Sequence, residues 1–259
     1  MKATVPDDAG GVASQTSRAF IRIRELLLRG ELSRGARISE LPLVARLGMS
    51  RTPIRLALER LAHIGLLDSV PGGGFAVREF TIVDALDAIE VRGVLEGAAA
   101  RLAAERLTAD GELESLRRVN QRIEALSRLT TDWFDEYMDL NEEFHARIVE
   151  LSGSAMLGRQ LEHVNSLPFA SPSAMVFPIT SLPRADETFA IAIEHHRCLL
   201  EAIGRRQGAR AEAIAREHAH LARRVLESAS SDAGALSRVP GGALIKVQHH
   251  ERVKRDPLV

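Results

Sequence analysis

The sequence of 259 residues contains one cysteine, few aromatic residues and no long apolar run. The lone cysteine, Cys198, cannot form an intramolecular disulfide and is typical of a reducing compartment. The opening residues MKATVPDDAGG lack the apolar core of a secretory signal, and no run of about 18 apolar residues follows, which argues against secretion and membrane insertion. We therefore predict a cytoplasmic protein with no membrane partner.

The composition favours a helical protein. Aromatic residues make up only 4% of the chain, whereas Ala, Leu, Arg and Glu, which have high helix propensity, are abundant. The hydrophobic fraction of 45% and the charged fraction of 27% are typical of a globular protein rather than a disordered one. The length suits two modest domains with a buried core.

Charge is distributed unevenly along the chain, although the formal net charge is only −1. Residues 18–78 contain 11 Lys and Arg against 5 Asp and Glu, whereas residues 79–228 contain 17 against 25. A basic module followed by an acidic one predicts that the first module binds a polyanion. The alternative is a chance clustering of arginine on solvated helix faces.

Three short helices are predicted in the basic module. The first covers residues 16–29, where apolar residues recur at helical spacing. Ser39 can cap a second helix that has Pro42 in its first turn, where a missing N–H costs little. Gly48 provides a tight turn, and Ser50 can cap the third helix.

The third helix separates an apolar face from a cationic one. Its apolar face consists of Ile54, Ala57, Leu58 and Leu61. Arg51 and Arg55 share another face near the amino end, with Thr52 beside them. Arginine can bond guanine O6 and N7 together, and threonine can contact phosphate or a thymine methyl group. The pattern predicts a helix-turn-helix whose second helix enters the major groove; alternatively, these arginines pair with Glu59 or solvent.

Two short apolar runs follow the third helix. They are joined by the sequence Pro-Gly-Gly-Gly at residues 71–74 and predict a β-hairpin. The basic module is therefore predicted to be a winged helix-turn-helix.

The stretch GELSRGARISELPLVARLGMSRTPIRLALERLAHIGLL resembles the DNA-binding domain of GntR-family bacterial transcription regulators. The resemblance implies that the third helix touches DNA and that the wing around Gly73 reaches the minor groove. Where many relatives carry an arginine early in the second helix, this chain has Leu41, so the contact expected there is either absent or supplied by Arg46 or Arg37. The predicted DNA-binding residues are Arg51, Thr52, Arg55, Arg46, Arg37, Ser50 and Gly73.

The acidic module reads as about six amphipathic helices, which predict an antiparallel bundle. The fold class is therefore mostly α, with the winged helix-turn-helix over residues 16–79 and the bundle over residues 80–229. Residues 1–15 are expected to be a disordered lead. Residues 230–259 lose helical periodicity and are expected to be a flexible tail.

Histidines in the acidic module occur at spacings that could bind a metal ion. Asn141 and His145 are four residues apart and share one helix face. Paired histidines occur at 195–196, and two more lie at 218 and 220 on the last helix. Such imidazoles are suitable ligands for Zn²⁺ or a similar divalent ion, although a helical histidine can equally be exposed or hydrogen-bonded in the core.

Residues 82–228 resemble the helical effector domain of the FadR/VanR-like branch, called the FCD domain. The resemblance implies that Arg92, in VRGVLE, is a pocket arginine that binds a carboxylate. It implies further that a divalent metal, zinc with nickel or manganese as alternatives, is held by Asn141, His145, His196 and His218. Asn141 replaces the commoner carboxylate, and His195 and His220 fall outside the pattern. The alternative for Arg92, from the residues alone, is that it merely forms an exposed ion pair.

These features predict a bacterial DNA-binding transcription regulator, a repressor rather than an enzyme. The resemblance implies a homodimer on an inverted-repeat operator of double-stranded DNA, controlled by a small carboxylate effector. Two alternatives remain at this point. One is a metal-dependent hydrolase built on the histidines, and the other is an architectural DNA binder with a vestigial pocket.

Overall fold

The computed structural model describes residues 8–126, 133–174, 185–230, 233–237 and 239–246. The amino-terminal domain, which we call the reading head (residues 8–78), contains three helices and a small antiparallel sheet. Its elements are α1 (Asp8–Leu28), β1 (Arg37–Ile38), α2 (Glu40–Leu47), α3 (Arg51–His63), β2 (Leu67–Ser69) and β3 (Phe75–Val77). The strand order is β1-β3-β2, which confirms the winged helix-turn-helix.

The predicted turn between α2 and α3 is present. Gly48 has a φ of +64°, a left-handed conformation that costs glycine little, and its N–H donates to the carbonyl of Val44. The apolar stripe of α3 is buried as predicted and packs against α1. Ser39 and Ser50 occupy the N-cap positions of α2 and α3, but neither side chain makes a capping hydrogen bond.

The wing is the hairpin of β2 and β3, with Leu67 opposite Val77 and Ser69 opposite Phe75. Residues 72–74 all have left-handed φ angles, between +87° and +96°, which only glycine adopts readily. The three consecutive glycines therefore let the chain reverse in a narrow tip.

A short linker strand, β4 (Phe80–Thr81), leads into the predicted bundle. Its helices are α4 (Ile82–Arg106), α5 (Glu114–Ala125), α6 (Trp133–Leu151), α7 (Ala155–Asn165), α8 (Ala185–Gly204) and α9 (Gly208–Ser230), with a 3-10 turn (Asp110–Leu113) before α5. Thr81 caps α4, because its Oγ1 accepts from the backbone N–H of Asp84 at 3.1 Å and the Asp84 carboxylate accepts from the Thr81 backbone N–H at 2.7 Å. The junction between the two domains is thus fixed by a capping box.

Helices α4 and α9 approach each other closely. A Cβ atom on Gly93 would lie 2.8 Å from the Cβ of Ala219, and one on Gly97 would lie 2.9 Å from the Cγ of Arg216. Glycine weakens an exposed helix, but here it permits a contact that any larger residue would prevent. This contact places α9 and its histidine beside α4.

Two expectations about the termini are wrong. Helix α1 begins at Asp8 rather than at residue 16, because the helix extends back through Gly10 and Gly11, whose low helix propensity hid it. The described parts of the expected flexible tail, residues 233–237 and 239–246, contain α10 (Ala233–Leu236), a 3-10 turn (Gly242–Leu244) and β5 (Ile245–Lys246). Residues 1–7 and 247–259 lie outside the described residues.

The carboxy-terminal segment (residues 233–237 and 239–246) connects the two domains. Strand β5 pairs in parallel with β4, with Ile245 opposite Phe80. The carbonyl of Ile245 accepts a hydrogen bond from Nη1 of Arg34 in the reading head at 2.9 Å. Four side chains of the segment are buried: Leu236, Val239, Leu244 and Ile245. The apolar residues of this segment do not recur at helical spacing, so the sequence alone does not predict that they are buried.

Across the ranges that the structure describes, no helix is both long and apolar enough to cross a membrane.

Candidate metal centre and nucleic-acid interface

Three histidines from three different helices meet inside the bundle. His145 comes from α6, His196 from α8 and His218 from α9, and one ring nitrogen from each lies within 4.8 Å of the others. All three are buried, with exposed fractions of 8%, 0% and 9%. We call this group the histidine cluster. Such a set of imidazole nitrogens matches the ligands that Zn²⁺ and neighbouring transition ions prefer.

Four ring nitrogens of the cluster lack a hydrogen-bond partner among the described residues, and two of its three rings are neutral. Burial, together with the neighbouring histidines, lowers the pKa of His196 and His218 well below the usual range, so both rings stay neutral. Both ring nitrogens of His196, Nε2 of His145 and Nδ1 of His218 find no hydrogen-bond partner in the described part of the chain. Buried unpaired nitrogens are costly, and a divalent cation would satisfy them. The residues therefore fit a metal ion.

Glu96 and Arg92 on α4 flank the histidine cluster. Oε1 of Glu96 lies 3.2 Å from Nδ1 of His145, and its Oε2 lies 3.9 Å from Nε of Arg92. Burial favours the protonated carboxyl of Glu96, but His145 and Arg92 outweigh this effect and lower its pKa. Arg92 is 2% exposed, so the exposed ion pair considered above is wrong for this residue. Its Nε and Nη1 have no hydrogen-bond partner within the described ranges.

Asn141, the remaining predicted ligand, is held by a serine. Its Nδ2 donates to Oγ of Ser173 at 3.3 Å, and that hydroxyl donates to the carbonyl of Met138 at 3.0 Å. Asn141 is 2% exposed and lies one turn before His145 on α6. The serine therefore engages the amide nitrogen, which leaves the amide oxygen as the atom that could bind a cation.

The remaining histidines differ in position. His220 is exposed and lies 3.8 Å from Glu90, so it faces away from the histidine cluster. His195 is half-buried, and the centre of its ring lies 5.8 Å from that of His218. His163 is exposed on α7 and faces His63 of the reading head, with 6.4 Å between ring centres.

A cavity of about 480 Å³ lies beside the histidine cluster. His145 and Glu96 form part of its wall, and Glu142, Asn165 and Arg24 form other parts. Burial raises the pKa of Glu142 and lowers the pKa of Arg24. Among the residues that line it, Arg24 is the only arginine or lysine, and Arg92 does not border the cavity. This volume can hold a small organic molecule.

On the reading head, the amino end of α3 is open to solvent. Arg51, Thr52 and Arg55 are all exposed. Nε of Arg55 lies 3.3 Å from Oε1 of Glu59, as the alternative interpretation expected for that residue. An exposed ion pair of this kind contributes only about 0.3–0.5 kcal/mol, so a phosphate or a base can replace it.

The other predicted DNA contacts lie around the same surface. Arg46 of α2 pairs with Glu31, whereas Arg37 of β1 is exposed. The unused hydroxyl of Ser50 is exposed at the start of α3. Gly73, at the wing tip, has no atom near the position of a Cβ, so the tip is open.

Sequence reasoning missed two residues at these sites. Glu96 is assigned no role in the sequence analysis, although its spacing of four from Arg92 indicates that both side chains point the same way. Arg24 belongs to the reading head, and nothing in its sequence neighbourhood indicates that it lines a cavity of the bundle.

Comparison with known protein families matches two parts of the chain. Residues 15–77 match the family described as bacterial regulatory proteins, gntR family, and residues 87–221 match the FCD domain. The two matches fall on the reading head and on the helical bundle. Together they confirm the resemblance drawn from the sequence.

Two curated relatives are transcription regulators. HTH-type transcriptional regulator YdhC of Bacillus subtilis is 30% identical over 150 residues, 57% of this chain and 65% of that protein. The probable D-xylose utilization operon transcriptional repressor of Paenarthrobacter nicotinovorans is 30% identical over 201 residues, 74% of this chain and 78% of that protein. The chain thus spans slightly less than two thirds of the first relative and more of the second.

A solved structure shows the same fold. Escherichia coli McbR/YncC matches with a TM-score of 0.59 and 23% identity, over 83% of this chain and 97% of that one. At this level of identity, the likeness establishes the fold alone.

Proposed function

This chain belongs to the GntR family of bacterial regulatory proteins and carries an FCD domain, and we propose that a metal ion and a small organic acid in that domain control its affinity for DNA. It is a DNA-binding transcription regulator, not an enzyme, like the relatives compared above. The hydrolase alternative therefore has no support.

The histidine cluster is the observation that carries the proposal. Three buried imidazoles, with ring nitrogens that find no hydrogen-bond partner among the described residues, lie close together beside a cavity of about 480 Å³; one ring nitrogen of each lies within 4.8 Å of the others. Histidines with a purely structural role in the core are expected to be hydrogen-bonded, not grouped in threes. Without a ligand, the unpaired ring nitrogens would destabilise the bundle. A divalent ion that also binds an organic acid would explain why the three histidines are grouped and would satisfy their unpaired nitrogens.

In the proposed site, His145, His196 and His218 hold the metal, with Asn141 as a further ligand. When bound, the metal supplies a positive charge that attracts a carboxylate to the cavity. Zinc is the ion that the imidazoles favour, with nickel or manganese as alternatives. Oε1 of Glu96 lies 3.2 Å from Nδ1 of His145, so Nε2 would be the ring nitrogen left to bind the metal. Arg92 adds positive charge beside Glu96, and we propose that it favours carboxylate binding.

On the DNA side, we propose that two reading heads bind an inverted repeat. Each α3 would lie in the major groove and each wing would reach the adjacent minor groove. The proposed contacts are Arg51, Thr52, Arg55, Arg46, Arg37, Ser50 and Gly73. We propose repression as the outcome, in keeping with the name of the Paenarthrobacter relative.

An inverted repeat requires a homodimer related by a twofold axis. Helix α4 carries three exposed valines, Val83, Val91 and Val94, at spacings of eight and three residues, which place them on one side of the helix. We propose that a second copy of the chain covers this side. Light scattering on a sizing column should show a dimer, and Val91→Asp with Val94→Asp should shift it towards monomer.

Fluorescence anisotropy tests the effector proposal. The duplex is one that the protein selects from a random pool, and the carboxylate is the one that most raises the melting temperature of the zinc-loaded protein. The zinc-loaded full-length protein is then titrated onto this duplex with and without that carboxylate. The carboxylate should change DNA affinity by about 5- to 150-fold, and chelation of the metal should abolish the change. DNA affinity that ignores both carboxylate and chelator would instead identify an architectural DNA binder.

A further inference from the structure

Arg24 connects the reading head to the cavity beside the histidine cluster. It lies on α1, which packs against the DNA-reading helix α3, yet its side chain lines the same cavity wall as His145 and Glu96 of the bundle. A residue of the DNA-binding domain therefore forms part of the proposed effector pocket.

The guanidinium of Arg24 is close to other groups of the cavity wall but has no direct partner among the residues that the structure describes. It is half-buried, and no described residue offers it a hydrogen bond or an ion pair within 4 Å. The negative charge of Glu142, also on the cavity wall, raises the pKa of Arg24, but by less than burial lowers it. Since a partly desolvated arginine without a bidentate partner is uncommon, an anion in the cavity would be its natural ligand.

Arg24 also borders a second cavity. This cleft, of about 750 Å³, lies between the reading head and α7, and its wall includes His63 of α3 and His163 of α7. Arg24 and Asn165 line both cavities. The two cavities thus meet at Arg24, on the boundary between the domains.

We infer that the effector is a dicarboxylate, with one carboxylate at the histidine cluster and the other on the guanidinium of Arg24. This inference rests on the proposed function and specifies the class of its ligand. With a metal bound at the histidine cluster, the cavity would attract anions in two places, at the metal beside His145 and at Arg24. A monocarboxylate satisfies only the first.

The inference gives the effector a direct mechanical role. A ligand held by both domains fixes α1, and with it α3, relative to the bundle. Its affinity then differs between arrangements of the reading head, which is the condition for it to shift DNA binding. No relay of packed side chains between the two sites is required.

Isothermal titration of the zinc-loaded full chain tests the inference. The probes are glutarate and adipate, compared with pentanoate and hexanoate, which have the same carbon chains and one carboxylate fewer. The variants are Arg24→Gln, Arg24→Lys and, as a matched control from an exposed position of the same helix, Arg22→Gln. Circular dichroism confirms that each variant is folded.

The wild type should bind the better dicarboxylate about 10- to 100-fold more tightly than its monocarboxylate, as expected for a charge-assisted pair. Arg24→Gln should remove this preference and leave monocarboxylate binding unchanged, whereas Arg24→Lys should keep part of it and Arg22→Gln all of it. Equal affinity of the wild type for both acids, or a preference that survives in Arg24→Gln, overturns the inference while the proposed function stands. Failure of every carboxylate to bind, with or without zinc, overturns both.

Discussion

Nδ1 of His145 lies 3.2 Å from Oε1 of Glu96, and this contact joins helices α6 and α4 inside the bundle. It assigns different tasks to the two ring nitrogens. Nδ1 faces the carboxylate, and Nε2 is left buried without a hydrogen-bond partner among the described residues. A carboxylate that orients a histidine in this way is a common feature of protein metal sites.

Glu96→Gln tests this relationship. The amide can still contact the ring but removes the negative charge that makes His145 a better ligand, so zinc affinity should fall by about 10- to 100-fold. Competition with a chromophoric chelator measures the change. Glu90→Gln on the same helix is the control, because the Glu90 side chain is 41% exposed and contacts Arg216 and His220 instead. Equal zinc affinity in the two variants would remove Glu96 from the metal site.

Arg51→Ala tests the assignment of the DNA-reading surface. Arg51 is exposed at the amino end of α3, and loss of a contact to base edges should cost about 1–3 kcal/mol of specific binding. Anisotropy with the selected duplex measures this cost. Arg118→Ala, which removes an exposed arginine from α5 of the bundle, is the control. An operator affinity that stays the same in Arg51→Ala would contradict the assignment.

Gly93→Ala tests the close contact of α4 and α9. The new methyl group would meet Ala219 at 2.8 Å, and overpacking of this kind costs about 1–3 kcal/mol, against a gain in helix propensity of at most about 1 kcal/mol. Urea unfolding should show a net loss of stability. Gly158→Ala in α7 is the control, because its methyl group would lie at an ordinary 3.7 Å from Val149 and should stabilise the protein. The same gain in both variants would contradict the packing described.

Leu244→Ala tests the carboxy-terminal segment. Leu244 is fully buried, so the substitution should cost about 2–5 kcal/mol in the free energy of unfolding. Leu41→Ala makes the same chemical change at a side chain that is 57% exposed and should have an effect below about 0.5 kcal/mol. If Leu244→Ala proves as mild as its control, the segment is not part of the folded core.

The reading head was largely predictable because its signals are local. The stripe from Ile54 to Leu61 repeats at helical spacing, and Gly48 marks a turn that needs positive φ. Both features are set by residues that are neighbours in sequence. The six helices of the bundle were predictable for the same reason.

The rest depended on tertiary contacts. Residues 233–237 and 239–246 bury apolar side chains such as Leu244, and the strand pair of Phe80 with Ile245 joins positions far apart in the chain. The burial of Arg92 and Glu96 follows from the approach of α9 to α4. Arg24 reaches the cavity only because of how the reading head sits against the bundle. Local sequence patterns do not show such contacts between distant parts of the chain.

Metal analysis of the purified chain tests the central claim most directly, namely that the histidine cluster holds a divalent ion. After incubation with zinc and gel filtration, elemental mass spectrometry should find about one bound ion per chain in the wild type. The control His220→Ala should bind the same amount, because the His220 side chain faces away from the cluster. His196→Ala combined with His218→Ala should retain none. Full zinc content in that double variant would contradict the claim, because the ion would then be bound elsewhere.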